Sequence, residues 1–299
     1  MTILNNTSDG LYPELIVLFR TVVFLGKVES DELIRVCMPG SDLDGPERIR
    51  LRGTLSRWME LGLFTEIDGY IELAEKFKFS KRESIENFTN KLPLFCRSLI
   101  FDKKNSLPLW GDSTGIAADF VRGITWLLAQ DIYDFPTTWE DGAMTYSDKQ
   151  LIGKKLIQND TRWNNLRFWS RYLGFSTGDS KSFQIDPTSA IKDTLPFVFG
   201  KTKELSGSEF LSSLSAFLPV LDNGEYRQEI ESELNPQVWR MPNENHLSMS
   251  LSLALWRLRL NKTIQFGGKA DTGSSFRLTG RNYRTWSGFE TVIWNGSTS

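Results

Sequence analysis

The chain has 299 residues, 40% of them apolar and 24% charged, with a formal net charge of −2. These proportions exclude a disordered chain. The near-neutral balance removes any global basic field, so nucleic-acid contact has to come from local patches.

The start, Met1–Gly10, is polar and lacks a basic stretch leading into an apolar run, so no signal peptide is expected. Leu15–Leu25 is interrupted by Arg20, and Ile116–Ala129 carries Asp119 and Arg122, so no membrane span is expected either. Two lone cysteines, Cys37 and Cys96, fit a reducing cytoplasm.

Leu11–Gly26 reads as a mostly buried helix. Ser30 can cap a short helix through Val36 that Pro39-Gly40 ends. Pro46 suits the first turn of a third helix running to Leu61. On it Leu51, Leu55 and Trp58 share an apolar face, and Arg50, Thr54 and Arg57 share another, flanked by Arg48 and Arg52. Gly62 suits a left-handed helix end. Leu63–Ile67 and Tyr70–Leu73 then flank Asp68-Gly69, a strong hairpin signal. Three helices and a hairpin make a winged-helix module, whose third helix would enter a major groove and bring its arginines to phosphates or guanine edges.

The pattern repeats. Asp148–Gln158 reads as a helix, and Asp160 caps the next one, which runs to Leu173. Arg162 lies in its first turn, and Arg167 and Arg171 line its polar face. Gly174 closes it, and Phe175–Ser176 and Ser182–Ile185 follow as wing strands. In a third segment Ser248–Leu260 has Met249, Leu253, Trp256 and Leu260 on one face. Asn261 stands at its end, and Thr263–Phe266 and Ser275–Leu278 flank a loop with Gly267, Gly268 and Gly273. Each of the three helices contains Leu-x-x-Trp: Leu55/Trp58, Leu166/Trp169 and Leu253/Trp256. Between the modules, Ser80–Asn105 reads as a long helix bent at Pro93, Thr114–Asp131 as a helix and Tyr133–Tyr146 as a loop. Pro187–Phe199, Ser208–Leu221 and Glu225–Leu234 read as further helices, and Phe289–Trp294 as a strand. The basic aromatic strip Arg281–Trp286 is expected to pack across the third module.

Catalytic signals are sparse. There is no Gly-x-x-x-x-Gly-Lys-Ser/Thr loop, no Gly-x-Gly-x-x-Gly and no Cys-x-x-Cys. One histidine and two cysteines exclude a zinc finger, a histidine-rich metal site and a Ser-His-Asp triad. Asp68, Glu72 and Lys76 sit near a hairpin, but Asp68 belongs to the turn itself. His246 reads as a polar residue ahead of the third module's helix, and Glu229, Glu231 and Glu233 as a solvated or partner-facing edge. The expectation is a protein that is not an enzyme and has no cofactor and no metal.

The stretch Trp110-Gly111-Asp112-Ser113-Thr114-Gly115, then Ala118–Arg122 and Trp126–Asp131, resembles the DpdG family. Arg162-Trp163-Asn164, Phe168-Trp169 and Leu173-Gly174-Phe175 fit the same family. That family belongs to the bacterial gene cluster that inserts 7-deazaguanine bases into DNA and restricts unmodified DNA. The resemblance implies an accessory component of a phage-defence or DNA-modification system, on the restriction side. It carries over no catalytic residues.

The expected fold is mainly α with short β-hairpins, built of tandem winged-helix (helix-turn-helix) modules joined by helical segments. The expected division is an N-terminal winged helix over 1–79, a central helical region with a second module over 80–205, and a C-terminal module with a basic aromatic tail over 206–299. The expected partners are DNA, held by Arg48, Arg50, Arg52 and Arg57 and then by Arg162, Arg167 and Arg171, and proteins of the same defence system such as a helicase or nuclease. A protein adaptor of the kind found as condensin accessory subunits, or a transcription regulator, are the alternative readings.

Overall fold

The computed structural model describes residues 2–4, 12–40, 45–79, 83–179, 182–268 and 275–296. The fold is mainly helical with small antiparallel sheets. The chain forms two compact units, Met1–Asp119 and Phe120–Ser299. No described helix is long and apolar enough to cross a membrane. The starts of two expected elements, Leu11 and Ser80 with its neighbours Lys81 and Arg82, lie outside the described residues, as do most of Met1–Gly10 and the loop glycine Gly273.

The first unit begins α1 (Tyr12–Leu25), β1 (Val28–Glu29), α2 (Ser30–Cys37), α3 (Pro46–Leu61), β2 (Phe64–Ile67) and β3 (Tyr70–Leu73). β3 lies between β1 and β2, pairing Ile71 with both Val28 and Glu66. Asp68 and Gly69 both take positive φ, 54° and 81°, which gives the strands the tight two-residue turn that matches their twist. Gly62, at φ 91°, ends α3, and Leu63 donates back to the Trp58 carbonyl at 2.8 Å. Leu15, Leu18 and Phe19 of α1, Leu33 of α2, and Leu55, Trp58 and Leu61 of α3 fill the core.

The long helix expected over Ser80–Asn105 is instead three short ones, α4 (Ile85–Thr89), α5 (Leu92–Ile100) and α6 (Lys103–Ser106). Pro93 has no amide hydrogen to give to a preceding turn, so it sits in the first turn of a new helix rather than bending an old one. Ser84 and Asp102 cap the pieces on either side. The breaks fold the segment back on α1, where Phe88 stacks on Phe19 at 5.8 Å and Phe95 meets it edge-on. Asn105 donates to the carbonyls of Leu61 (3.1 Å) and Leu99 (2.8 Å), so one buried amide closes the ends of two helices.

α7 (Ala118–Leu128) leads into the second unit. A π-helical turn, Trp139–Met144, stands where a loop was expected, and Thr138 caps it. It runs directly into α8 (Thr145–Gln150), which ends well before Gln158. Asn159, not Asp160, caps α9 (Asp160–Tyr172), accepting the Arg162 amide at 3.0 Å. Gly174, at φ 80°, ends α9, and β4 (Ser176–Thr177) pairs with β5 (Gln184–Ile185).

The remainder is α10 (Thr188–Phe199), β6 (Glu204–Ser206), α11 (Gly207–Phe217), α12 (Glu225–Glu233), α13 (Met249–Leu260), β7 (Ile264–Gly267), β8 (Phe276–Thr279), β9 (Thr285–Phe289) and β10 (Thr291–Trp294). β7 does not pair with β8. It pairs with β10, whose other edge takes β6, while β8 and β9 form a separate hairpin inserted between them. The order helix, strand, helix, helix, two strands thus occurs twice. Both times the first strand pairs with the last, which lies in the middle: β1-β3-β2 and β6-β10-β7. The second instance starts at α10 and carries two insertions, α12 and the β8–β9 hairpin.

α13 departs from its expected faces. It carries two opposite apolar stripes, and the side that enters the core is Leu251, Ala254, Leu255 and Leu258; Leu260 is 62% exposed. The stripe of Leu253 and Trp256 is half-buried beneath the inserted hairpin, where Trp286 meets Trp256 at 6.0 Å. The left-handed residue that ends α13 is Lys262 (φ 57°), not Asn261. Counted from these helix ends, the three Leu-x-x-Trp pairs fall out of step. Trp58 stands four residues before its left-handed residue, Trp169 five and Trp256 six. They are not equivalent positions of one repeat.

Candidate functional site

The arginines on α3 divide by face. Arg50 and Arg52 are exposed, and Arg52 pairs with Asp31 at 3.1 Å. Arg48 and Arg57 are 5% and 8% exposed. Arg48 lies three residues before Leu51, hence on the buried face, and reaches the Met38 carbonyl at 3.4 Å. Arg57 lies one turn before Leu61 and pairs with Glu60 at 3.5 Å, and Thr54 beside it is fully buried. More than half of the circumference of α3 is covered, so its outward basic surface is narrower than the alternation of residues suggests.

On α9 the structure brings Arg167 and Arg171 together. With Asn164, Phe168, Asp179 and Phe183 they line a small hollow between the helix and the β4–β5 turn. Arg167 is half-buried, its guanidinium 5.0 Å over the Phe183 ring. Burial lowers its pKa, and the charge of Arg171 one turn on adds to this. Arg171 is exposed and donates to the Gly178 carbonyl at 3.1 Å. Arg162 stands apart in the first turn, half-buried.

The strip Arg281–Trp286 forms the turn of the inserted hairpin and the start of β9. Trp286 packs on α13, and Arg281 pairs with Asp134 at 2.7 Å at the surface.

A cavity of about 250 Å³ lies inside the second unit. It is walled by the residues that follow α7, by α8, by the segment 238–249 between α12 and α13, and by the start of the β8–β9 turn. His246 is on its wall, with Nδ1 2.9 Å from the Glu244 carbonyl. Burial raises the pKa of Tyr283, also on the wall, and the charge of Asp131 adds to it. His246, Tyr283 of the basic aromatic strip and Ala129–Asp131 stand out in the sequence, but nothing there joins them, because the cavity's parts come from element ends far apart in the chain.

The DpdG-like family profile matches residues 1–272. The chain belongs to the DpdG-like family. No curated protein and no solved structure matches it. The family places the chain in the context of the Dpd DNA-modification system.

The residues that carry the family resemblance divide between the interior and the surface of this DpdG-like chain: most of Ala118–Arg122 and Trp126–Asp131 are buried, whereas Gly111, Asp112, Ser113, Asn164 and Phe168 are exposed. A side chain on Gly115 would meet the Asn105 carbonyl at 2.5 Å, so only glycine fits there. Trp126 is fully buried and donates to Gln150 at 2.7 Å. Trp163 and Trp169 of α9 are also core residues.

The acidic edge of α12 lends itself to a pH test. Burial pushes the Glu229 carboxyl above the usual carboxylate range, and the charges of Glu225 and Glu233 push the same way. A folded pKa above the unfolded one means that the ionised group opposes folding. That opposition is complete above the folded pKa and fades as pH falls through it. Glu229→Gln should therefore raise the melting temperature at pH 7, with the gain gone below about pH 4. An equal gain at both pH values would show that the charge is not the cause.

Proposed function

We propose that this chain is a non-catalytic component of the Dpd DNA-modification and restriction system, built on winged-helix modules, that holds DNA or holds a nuclease or helicase partner on DNA. The observation that carries the reading is the twofold occurrence of helix, strand, helix, helix and two strands with the last strand central. This is the order of a winged helix, and it stands in a chain whose family belongs to a DNA-modification system. On this reading α3 is the recognition helix of the first module, and Arg50 and Arg52 are its phosphate contacts. Arg171, at the exposed end of α9, is the next contact. Arg48, Arg57 and Arg167 brace their helices from inside and serve DNA only by shaping the surface.

The test is binding of the full chain to a labelled 30-base-pair duplex across a salt series, beside Arg50→Ala/Arg52→Ala. The wild type should bind at low salt and weaken steeply as salt rises. The double variant should lose about 1.8 from the log-log slope, roughly 0.9 per phosphate contact removed. No binding at low salt, or a slope that the variant leaves unchanged, overturns α3 as a DNA contact. The adaptor reading has one observation in its favour. Ile49 on α3 and Val36 on α2 are 63% and 50% exposed, apolar surface beside the arginines that suits a protein partner.

A further inference from the structure

The cavity in the second unit has a definite chemical character, independent of whether the arginines hold DNA. Its volume, about 250 Å³, falls just below the range of roughly 300–1,000 Å³ usual for drug-sized ligands. It suits one bicyclic ring system, with or without a sugar. Its walls carry the rings of Phe135, Tyr146, Trp239 and Tyr283. Phe135 is held edge-on between Trp126 (5.3 Å) and Tyr146 (5.4 Å), so that wall is rigid. On Tyr283 lies the guanidinium of Arg240, 4.3 Å from the ring centre, a second flat surface.

The polar groups on the walls are mostly neutral and fixed. Gln130 and Gln150 are 5% and 3% exposed. Trp126 donates to Gln150 Oε1 at 2.7 Å, Gln150 donates to Gln130 Oε1 at 2.9 Å, and Gln130 donates to the Trp126 carbonyl at 2.8 Å. This ring of bonds sets both amide planes and uses one hydrogen of each amide nitrogen, which leaves each a second hydrogen to donate. Thr279, 6% exposed, lines the same cavity, and its hydroxyl has no hydrogen-bond partner among the described residues. A buried hydroxyl without a partner is costly and calls for an explanation. The lining carboxylates Asp131 and Asp134 are balanced by Arg240 and by Arg281, which pairs with Asp134. That balance favours no charged ligand, and the carboxylates disfavour a phosphate. Tyr283 holds φ at 59°, an unusual conformation for a bulky residue, and strain of this kind gathers where a fold positions a ligand contact.

We propose that this cavity binds a neutral planar nitrogen heterocycle of purine size, stacked on its aromatic walls and recognised at its edge by Gln130, Gln150 and Thr279. The ring can arrive as a free base or nucleoside, or as a base presented by a nucleic-acid strand. The chemistry of recognition is the same for both.

The probe is 2-aminopurine, a neutral fluorescent purine whose emission falls on stacking. The full chain is titrated into the free riboside, into a single-stranded oligonucleotide carrying it, and into a duplex carrying it opposite an abasic site. Saturable quenching of the riboside assigns the cavity to a free ligand. Quenching only in the oligonucleotides assigns it to a presented base. In either case Thr279→Val and Tyr146→Ala should each weaken the quenching constant about tenfold. Circular dichroism and melting establish that both variants are folded. Oligonucleotide anisotropy should be unchanged by them if α3 holds the strand, which separates this result from the DNA-binding test. Absence of quenching in all three probes at millimolar concentration overturns the proposal, as do folded variants that quench like the wild type.

Discussion

Arg227→Met should lower the stability of the second unit by about 3 kcal/mol, at the lower end of what breaking a buried ion pair costs. Arg227 is 1% exposed on α12. Its Nε donates to Glu231 at 2.5 Å, and its NH1 lies 3.8 Å from Asp222. Asp222 accepts both the amide and the hydroxyl of Ser248 at 2.6 Å, so it holds the start of α13. One cation therefore joins α12, the turn before it and the cap of α13. Without it two carboxylates, 11% and 18% exposed, are left close together and unneutralised. Urea unfolding should show a lower midpoint at constant slope. Arg227→Lys should recover little, since one ammonium cannot reproduce a fork of donors. Asp222→Asn in the Arg227→Met background should recover part of the loss. A wild-type midpoint for Arg227→Met would mean that the network adds nothing to stability.

Gly224→Ala should cost a similar amount at the same corner. Gly224 has an ordinary φ of −73°, so conformational freedom is not why it is glycine. A Cβ there would lie 2.2 Å from the Pro219 carbonyl oxygen and 2.7 Å from the Pro219 Cα. Both are backbone atoms that cannot turn aside. The Pro219 carbonyl accepts the Arg227 amide at 3.1 Å, so displacing it moves the start of α12 and the guanidinium with it. The expected loss of about 3 kcal/mol corresponds to a fall in melting temperature of roughly 6–12 °C. Because both substitutions act on one corner, the double variant should lose less than the sum of the singles. Strict additivity would show two independent sites.

Features with local causes were legible in the sequence. Asp68-Gly69 forms the expected turn because both residues tolerate positive φ. Gly62 and Gly174 end their helices for the same reason. The faces of α3 were legible only in part. Leu51, Leu55 and Trp58 are buried as their spacing implies, but helix periodicity does not say how wide the buried sector is, and Arg48 and Arg57 fall inside it. α13 offered two apolar stripes, and spacing alone selected the one under the inserted hairpin. The pairing of β7 with β10 was hidden because β8 comes first in the chain. The cavity was hidden for a further reason. Its Gln130, Gln150 and Thr279 are ordinary residues until the fold buries them together.

The two sheets also differ in the chain length they must close. In the first, Val28 pairs with Ile71; in the second, Leu205 pairs with Val292, about twice the separation. Doubling a loop costs only about 0.6 kcal/mol in closure entropy, so the final stability of the second sheet suffers little. Its rate of formation suffers more, because β6 stays an unpaired edge until β10 finds it. Refolding should accordingly be biphasic, with the first unit protected from hydrogen exchange earlier. The interval in which β6 and β7 lack their common neighbour is when this chain is most exposed to mispairing with another copy.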